Sequence, residues 1–199
     1  MTDGAARLIA RFPMVWHVIE AEGAGPWLPT TGLLPTNRLL SLAGRAAEAG
    51  NRDDFQRLAF AGAIAVLRQQ LMPDRWLTPT LAGAYAGQPA AWRNLINAHV
   101  FFWTEQRRRD AFIRACQRLR SRSRAAPGIT PPRVLAFDTA VLLRAHGDTA
   151  FFARINTGST VRGGARTRRD ETTLAPVASY RSGPVAELAI RGPVRLVSH

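Results

Sequence analysis

The apolar residues of this chain come in short β-rich runs, and no other feature constrains the fold as much. Residues 14–19, 99–103, 133–137, 149–155, 185–190 and 194–197 form such runs, rich in Val, Ile, Phe and Trp and bounded by Gly, Pro, Asn or Thr. Runs this short make strands, and none nears the ~20 apolar residues of a membrane-spanning helix. Helical spacing fills the intervals. A short helix ending at Leu8–Phe12 is stopped by Pro13, and Asn37 caps a second that ends at Gly44. Residues 81–85 and 90–96 are loosely helical, Thr104 caps 105–120, and Asp138 caps 139–144. The longest predicted helix is 53–71, with Asn51 as its cap, Asp53 and Asp54 in its first turn, and Phe55, Leu58, Ala59, Gly62 and Val66 as its apolar stripe. Short strands with interposed helices and close hairpins predict an α+β fold, not a doubly wound parallel sheet.

Charge narrows the function classes. The net charge is +13, and all 27 basic residues are arginine. That excess attracts nucleic acid or another polyanion, while the absence of lysine makes many single arginines a matter of composition. Arg107, Arg114 and Arg118 share a face of the 105–120 helix, beside a basic, proline-bearing linker at 121–132, and are the candidate nucleic-acid contacts. The one cysteine, Cys116, excludes an internal disulfide and a thiolate metal cage. The opening residues lack a signal-peptide pattern, so the expectation is a soluble, cytoplasmic protein with no membrane contact.

The common catalytic motifs are missing. There is no phosphate-binding Gly-Lys-Ser loop, no Gly-x-Gly-x-x-Gly fingerprint and no Gly-x-Ser-x-Gly elbow. His17, His99, His146 and His199 are too scattered for a zinc pattern, so no metal is expected. Polar residues inside apolar runs remain. His17 interrupts Val15-Trp16 and Val18-Ile19, and Glu187 interrupts Val185-Ala186 and Leu188-Ala189-Ile190. A carboxylate inside an apolar strand is costly unless it faces solvent, is paired or has a function. Strand alternation gives Glu187 a solvent-facing alternative, and a backbone bond gives His17 a core one.

In order along the chain, these features resemble the ADP-ribosyltransferase-like superfamily, as seen in DNA-modifying ADP-ribosyltransferase toxins and RNA 2′-phosphotransferases. Val15-Trp16-His17-Val18-Ile19 followed by Thr30-Thr31-Gly32-Leu33-Leu34 looks like their opening strand and Gly-Leu turn. Ala186-Glu187-Leu188-Ala189-Ile190 is similar to the strand carrying their catalytic glutamate. Val100-Phe101-Phe102-Trp103 and Ile155-Asn156-Thr157-Gly158-Ser159-Thr160 also look like a bacterial family of unknown function with this fold.

The resemblance implies one domain over 1–199, built of two small, curved, mainly antiparallel sheets that form a cleft with flanking helices. Within it, the helices predicted over 51–96 form an insertion, and the Gly, Arg, Thr and acid content of 161–173 predicts a mobile loop. NAD would be the substrate. His17 would bind the adenosine ribose, and the Thr31-Gly32 backbone would approach the dinucleotide. Phe102 or Trp103 would stack on nicotinamide, and Asn156, Ser159 and Thr160 would line the site, Ser159 or Thr160 bracing the glutamate. Glu187 would bind the nicotinamide ribose and stabilise the developing cation. Two departures stand out: Phe101, Phe102 and Trp103 occupy the region where one branch carries tyrosine, and Val185 stands where arginine-modifying members carry a second glutamate. Val185 argues against arginine as the acceptor, the charge of +13 favours DNA or RNA, and an antitoxin or immunity protein is left open as a partner. The alternatives are a non-catalytic polyanion-binding module on the same fold and an RNA 2′-phosphotransferase with phosphate-clamping arginines.

Overall fold

A computed structural model describes residues 1–20, 28–46, 50, 52–122, 132–160 and 167–196. Helix α1 (Asp3–Arg11) begins where the Thr2 side chain accepts from the Ala5 N–H, with Asp3 in its first turn and Arg11 in its last, matching the helix dipole. Pro13 breaks it and β1 (Met14–Ile19) follows. Two short helices come next, α2 (Leu28–Thr31) and α3 (Thr36–Leu42). Pro35, not Asn37, holds the N-cap position of α3.

The predicted helix over 53–71 is not formed. Residues there make a β-hairpin, β2 (Gln56–Phe60) and β3 (Ala63–Leu67), paired from Gln56↔Leu67 to Phe60↔Ala63. Ala61 and Gly62 both have positive φ, 47° and 76°, the geometry of a tight two-residue hairpin turn. Leu58 and Phe60 are buried while Arg57 and Ala59 face out, so the period is two. The 51–96 insertion therefore contains this hairpin, and its helices among the described residues are α4 (Asp74–Leu77), two 3₁₀ turns and α5 (Pro89–Asn97).

Then follow β4 (His99–Trp103), α6 (Gln106–Arg120), β5 (Arg133–Asp138), α7 (Thr139–His146), β6 (Ala150–Ala153), β7 (Ala175–Pro176) and β8 (Glu187–Arg191). Asp138 caps α7 by accepting from the Val141 N–H at 2.9 Å. Thr104 does not cap α6; its hydroxyl bonds the Val185 carbonyl, and Glu105 takes the N-cap position.

The strands form one six-stranded antiparallel sheet, ordered β5-β1-β4-β8-β6-β7, beside the separate β2-β3 hairpin. The expected pair of small sheets is corrected to this arrangement. The molecule is α+β, and β8 joins the halves by pairing with both β4 and β6. Leu188 and Ile190 project into one core with Leu8, Val15, Phe102 and Leu142, and Ala189 projects into another with Met72, Trp92 and Ile96. The predicted 194–197 strand does not pair with β8. Val194 instead bridges Leu33 through two 2.8 Å hydrogen bonds, close enough that a Cβ on Gly32 would lie 2.1 Å from the Val194 oxygen.

Asn51, most of the 121–132 linker, residues 161–166 and Val197 lie outside the described residues. The expected mobile loop is corrected in its second half. Arg169 is fully buried, its N–H bonds the Thr80 carbonyl at 2.8 Å, and its guanidinium bonds the Thr167 and Ser159 carbonyls. Among the described residues, no helix is long and apolar enough to cross a membrane.

Candidate functional site

The site begins at a defect in the sheet. β1 pairs with β5 along its whole length, but its register with β4 holds only Trp16 against Trp103. Beyond that pair the two strands part. A cavity of about 680 Å³ occupies the gap, with 17–19 of β1 and the following Glu20 on one side and 99–103 of β4 on the other. Residues 65–71, from the end of the hairpin, and α6 complete its wall.

His17 sits at the parting. Its Nδ1 lies 2.9 Å from the Phe101 carbonyl oxygen, and because a carbonyl only accepts, that nitrogen carries the proton. Nε2 is then an acceptor. Burial lowers the pKa to about 4, against the hydrogen bond to Phe101 and with the Arg68 charge, so the ring is neutral at physiological pH.

Glu187 reaches the same cavity from β8. The register Trp103↔Glu187 sets it beside an aromatic on the face that Trp16 shares, while alternation turns His17 to the other face. Both line the one cavity that opens where β1 and β4 part. Glu187 is buried, and its carboxylate accepts from the Thr157 N–H at 3.0 Å and the Thr157 hydroxyl at 2.8 Å. Burial raises its pKa to about 7, against those two bonds and the charges of Arg108 and Arg169. A carboxyl poised near neutrality in a cleft is the kind of group that functional sites are built around.

The other sequence candidates divide. Asn156 and Ser159 line the cavity. Thr160 is buried and bonds the Leu71 carbonyl instead, tying its loop to the end of the hairpin. The residue bracing Glu187 is thus Thr157, which sequence reasoning passed over inside a polar run. Phe102 also lines the cavity, but it is fully buried against His17 and Phe137, which leaves half-buried Trp103 as the accessible aromatic of the two. Thr31 and Gly32 are outside the wall, and their neighbours Leu33 and Leu34 are in it. Arg107, Arg114 and Arg118 are all exposed on α6. Arg107 pairs with Glu105 at 2.7 Å, and Arg118 reaches the cavity mouth with Arg122.

Sequence reasoning missed the hairpin's contribution. Arg68 extends from the end of β3 to bond the Val18 carbonyl, which the parted sheet leaves to it. It lies 3.5 Å from Glu20, a buried carboxylate also held by Arg120, and stacks over Phe112 at 4.8 Å. Arg52, also buried, lines the wall beside it. Among the described residues no group of three His, Cys, Asp or Glu could hold a metal ion.

Fold and site together define an α+β protein with an arginine-walled cavity in a split antiparallel sheet, served by a neutral histidine and a buried glutamate. The chain belongs to a family of unknown function, DUF7002, whose model matches residues 13–199. No curated protein and no solved structure matches it.

Proposed function

We propose that this protein transfers ADP-ribose from NAD, with nucleic acid as the favoured acceptor. The observation carrying this reading is that His17 and Glu187, 170 positions apart, reach one cavity. Its volume of about 680 Å³ falls within the ~300–1,000 Å³ range of small-molecule sites. The acceptor Nε2 of a neutral His17 suits a ribose hydroxyl. Trp103 offers a ring beside Glu187, and the arginines of the wall suit the phosphates.

In the reaction the glycosidic bond between the nicotinamide nitrogen and ribose C1′ breaks, and nicotinamide leaves with the electron pair. A nucleophilic oxygen or nitrogen of the acceptor bonds C1′ and releases its proton to water. Positive charge builds on the ribose as the bond breaks. The Glu187 carboxylate, fixed by the two Thr157 donors, stabilises that charge without reorganising. Arg118, exposed on α6 and lining the cavity, and exposed Arg114 on the same helix favour a polyanionic acceptor.

The test is nicotinamide release from NAD, measured with water alone and with single-stranded DNA or RNA, together with transfer of labelled ADP-ribose. Release that Glu187→Gln abolishes is the expected result. No release under any of these conditions, with nucleic acid still bound in a salt-dependent way, would establish the non-catalytic binding module instead.

A further inference from the structure

The arginines of the hairpin wall do more than close the cavity. Arg52 is 6% exposed and contributes to the cavity wall. Its Nε donates to the Arg68 carbonyl at 3.1 Å, while its buried Nη1 has no hydrogen-bond partner. No acidic side chain pairs with it among the described residues, and the charge that acts on it is a second guanidinium, that of Arg68. Burial together with the Arg68 charge lowers the Arg52 pKa to about 10.

The backbone forces this closeness. Arg52 bridges Gln70, so Arg68 lies diagonally across the ladder on the same side. A buried, uncompensated cation beside a like charge is destabilising within the chain itself. Of the other arginines lining the cavity, Arg68 has Glu20 and Arg108 has Glu105, while Arg118 and Arg122 are exposed to solvent. Arg52 is the one that is buried without an acidic partner among the described residues.

We propose that Arg52 and Arg68 form an anion subsite on the hairpin wall that takes a phosphate or diphosphate group of the bound ligand. This deepens the reading of a nucleotide substrate, since it assigns the phosphates to the hairpin and leaves the split sheet to the riboses. The planar Arg52 fork suits two phosphate oxygens at once.

Inorganic pyrophosphate tests the subsite without any reaction. Calorimetry in a phosphate-free buffer should show binding to the wild-type protein. Arg52→Gln should weaken it at least tenfold, while Arg52→Lys, which keeps the charge but not the fork, should fall between. Arg144→Gln, on the exposed face of α7, lowers the net charge equally and should change binding less than twofold. Melting temperature gives a second readout. Arg52→Gln should hold or raise it in the absence of pyrophosphate, and should lose the stabilisation that pyrophosphate gives the wild type.

Equal weakening by Arg52→Gln and Arg144→Gln would overturn the subsite and leave a nonspecific charge effect. So would a melting temperature lowered by Arg52→Gln with pyrophosphate binding intact. The two readings separate cleanly. Arg52-dependent pyrophosphate binding without nicotinamide release keeps the subsite and removes the transferase, and NAD turnover without Arg52-dependent binding does the reverse.

Discussion

Trp16 faces Trp103 across the sheet, and one residue later His17 spans the gap by donating its Nδ1–H to the Phe101 carbonyl at 2.9 Å. The ring does there what a main-chain N–H would do in a continued ladder. A neutral imidazole is required, and burial, which lowers the pKa to about 4, supplies it. Below the ordinary pKa of 6.5 the unfolded chain takes a proton at this position that the folded chain refuses. The wild type should therefore lose stability relative to His17→Gln as pH falls from about 6.5 towards 4, and level off below that. Urea titrations at several pH values measure this. A constant difference between the two proteins would mean that His17 titrates normally.

Glu187 has the opposite sign. Its folded pKa of about 7 lies above the unfolded value near 4.5, so the protonated form is favoured in the fold and stability declines as pH rises between the two. Glu187→Gln can still accept from Thr157 and carries no charge. It should be more stable than the wild type by up to ~3 kcal/mol above pH 7, with the advantage vanishing near pH 4. Turnover moves the other way. Nicotinamide release should rise with pH through about 7 in the wild type and drop about a hundredfold or more in the variant. A variant that is less stable at pH 8 and fully active per folded molecule would make Glu187 a structural residue.

The β2–β3 turn offers a sharper check on the backbone. Ala61 holds φ at 47°, a left-handed conformation that costs an L-residue roughly 1 kcal/mol, and Gly62 follows at 76°. Ala61→Asn creates the Asn-Gly pair such turns favour and should raise stability by about 0.5–1 kcal/mol. Gly62→Ala should lower it by a similar amount. Thermal melts decide, and a helix at this position would give the reverse order, since alanine outranks both glycine and asparagine there.

On α6, Arg114 and Arg118 stand exposed, and Arg107 is already paired with Glu105. Reversing Arg114 and Arg118 to Glu should weaken nucleic-acid binding and flatten the slope of log affinity against log salt by up to about two. Arg107→Gln should matter less. An unchanged slope would make this face an ordinary solvated surface.

Much of the site's frame was legible in the sequence because its strands are short, apolar and bounded by breakers. β1 and β4 fall where the runs 14–19 and 99–103 place them, and β8 overlaps the run at 185–190. The hairpin was not legible. Phe55, Leu58, Ala59, Gly62 and Val66 fit a helical stripe, while the period-two burial of Leu58 and Phe60 is only five residues long. Its arginines were hidden with it, since Arg52 and Arg68 become neighbours only through the Arg52–Gln70 bridge. Thr157 was concealed differently: in a run of five polar residues, nothing local marks the one that turns inward to Glu187.

The place of β8 has a consequence for how the chain acquires its shape. This strand lies between β4 and β6, yet it comes after both in the chain. During synthesis, therefore, β4 and β6 wait with open edges until residues 187–191 arrive between them. A nascent or interrupted chain lacks the keystone of its sheet and the carboxylate of its cavity together. Closure of the sheet and placement of Glu187 in the cavity should then come together, in a single late event.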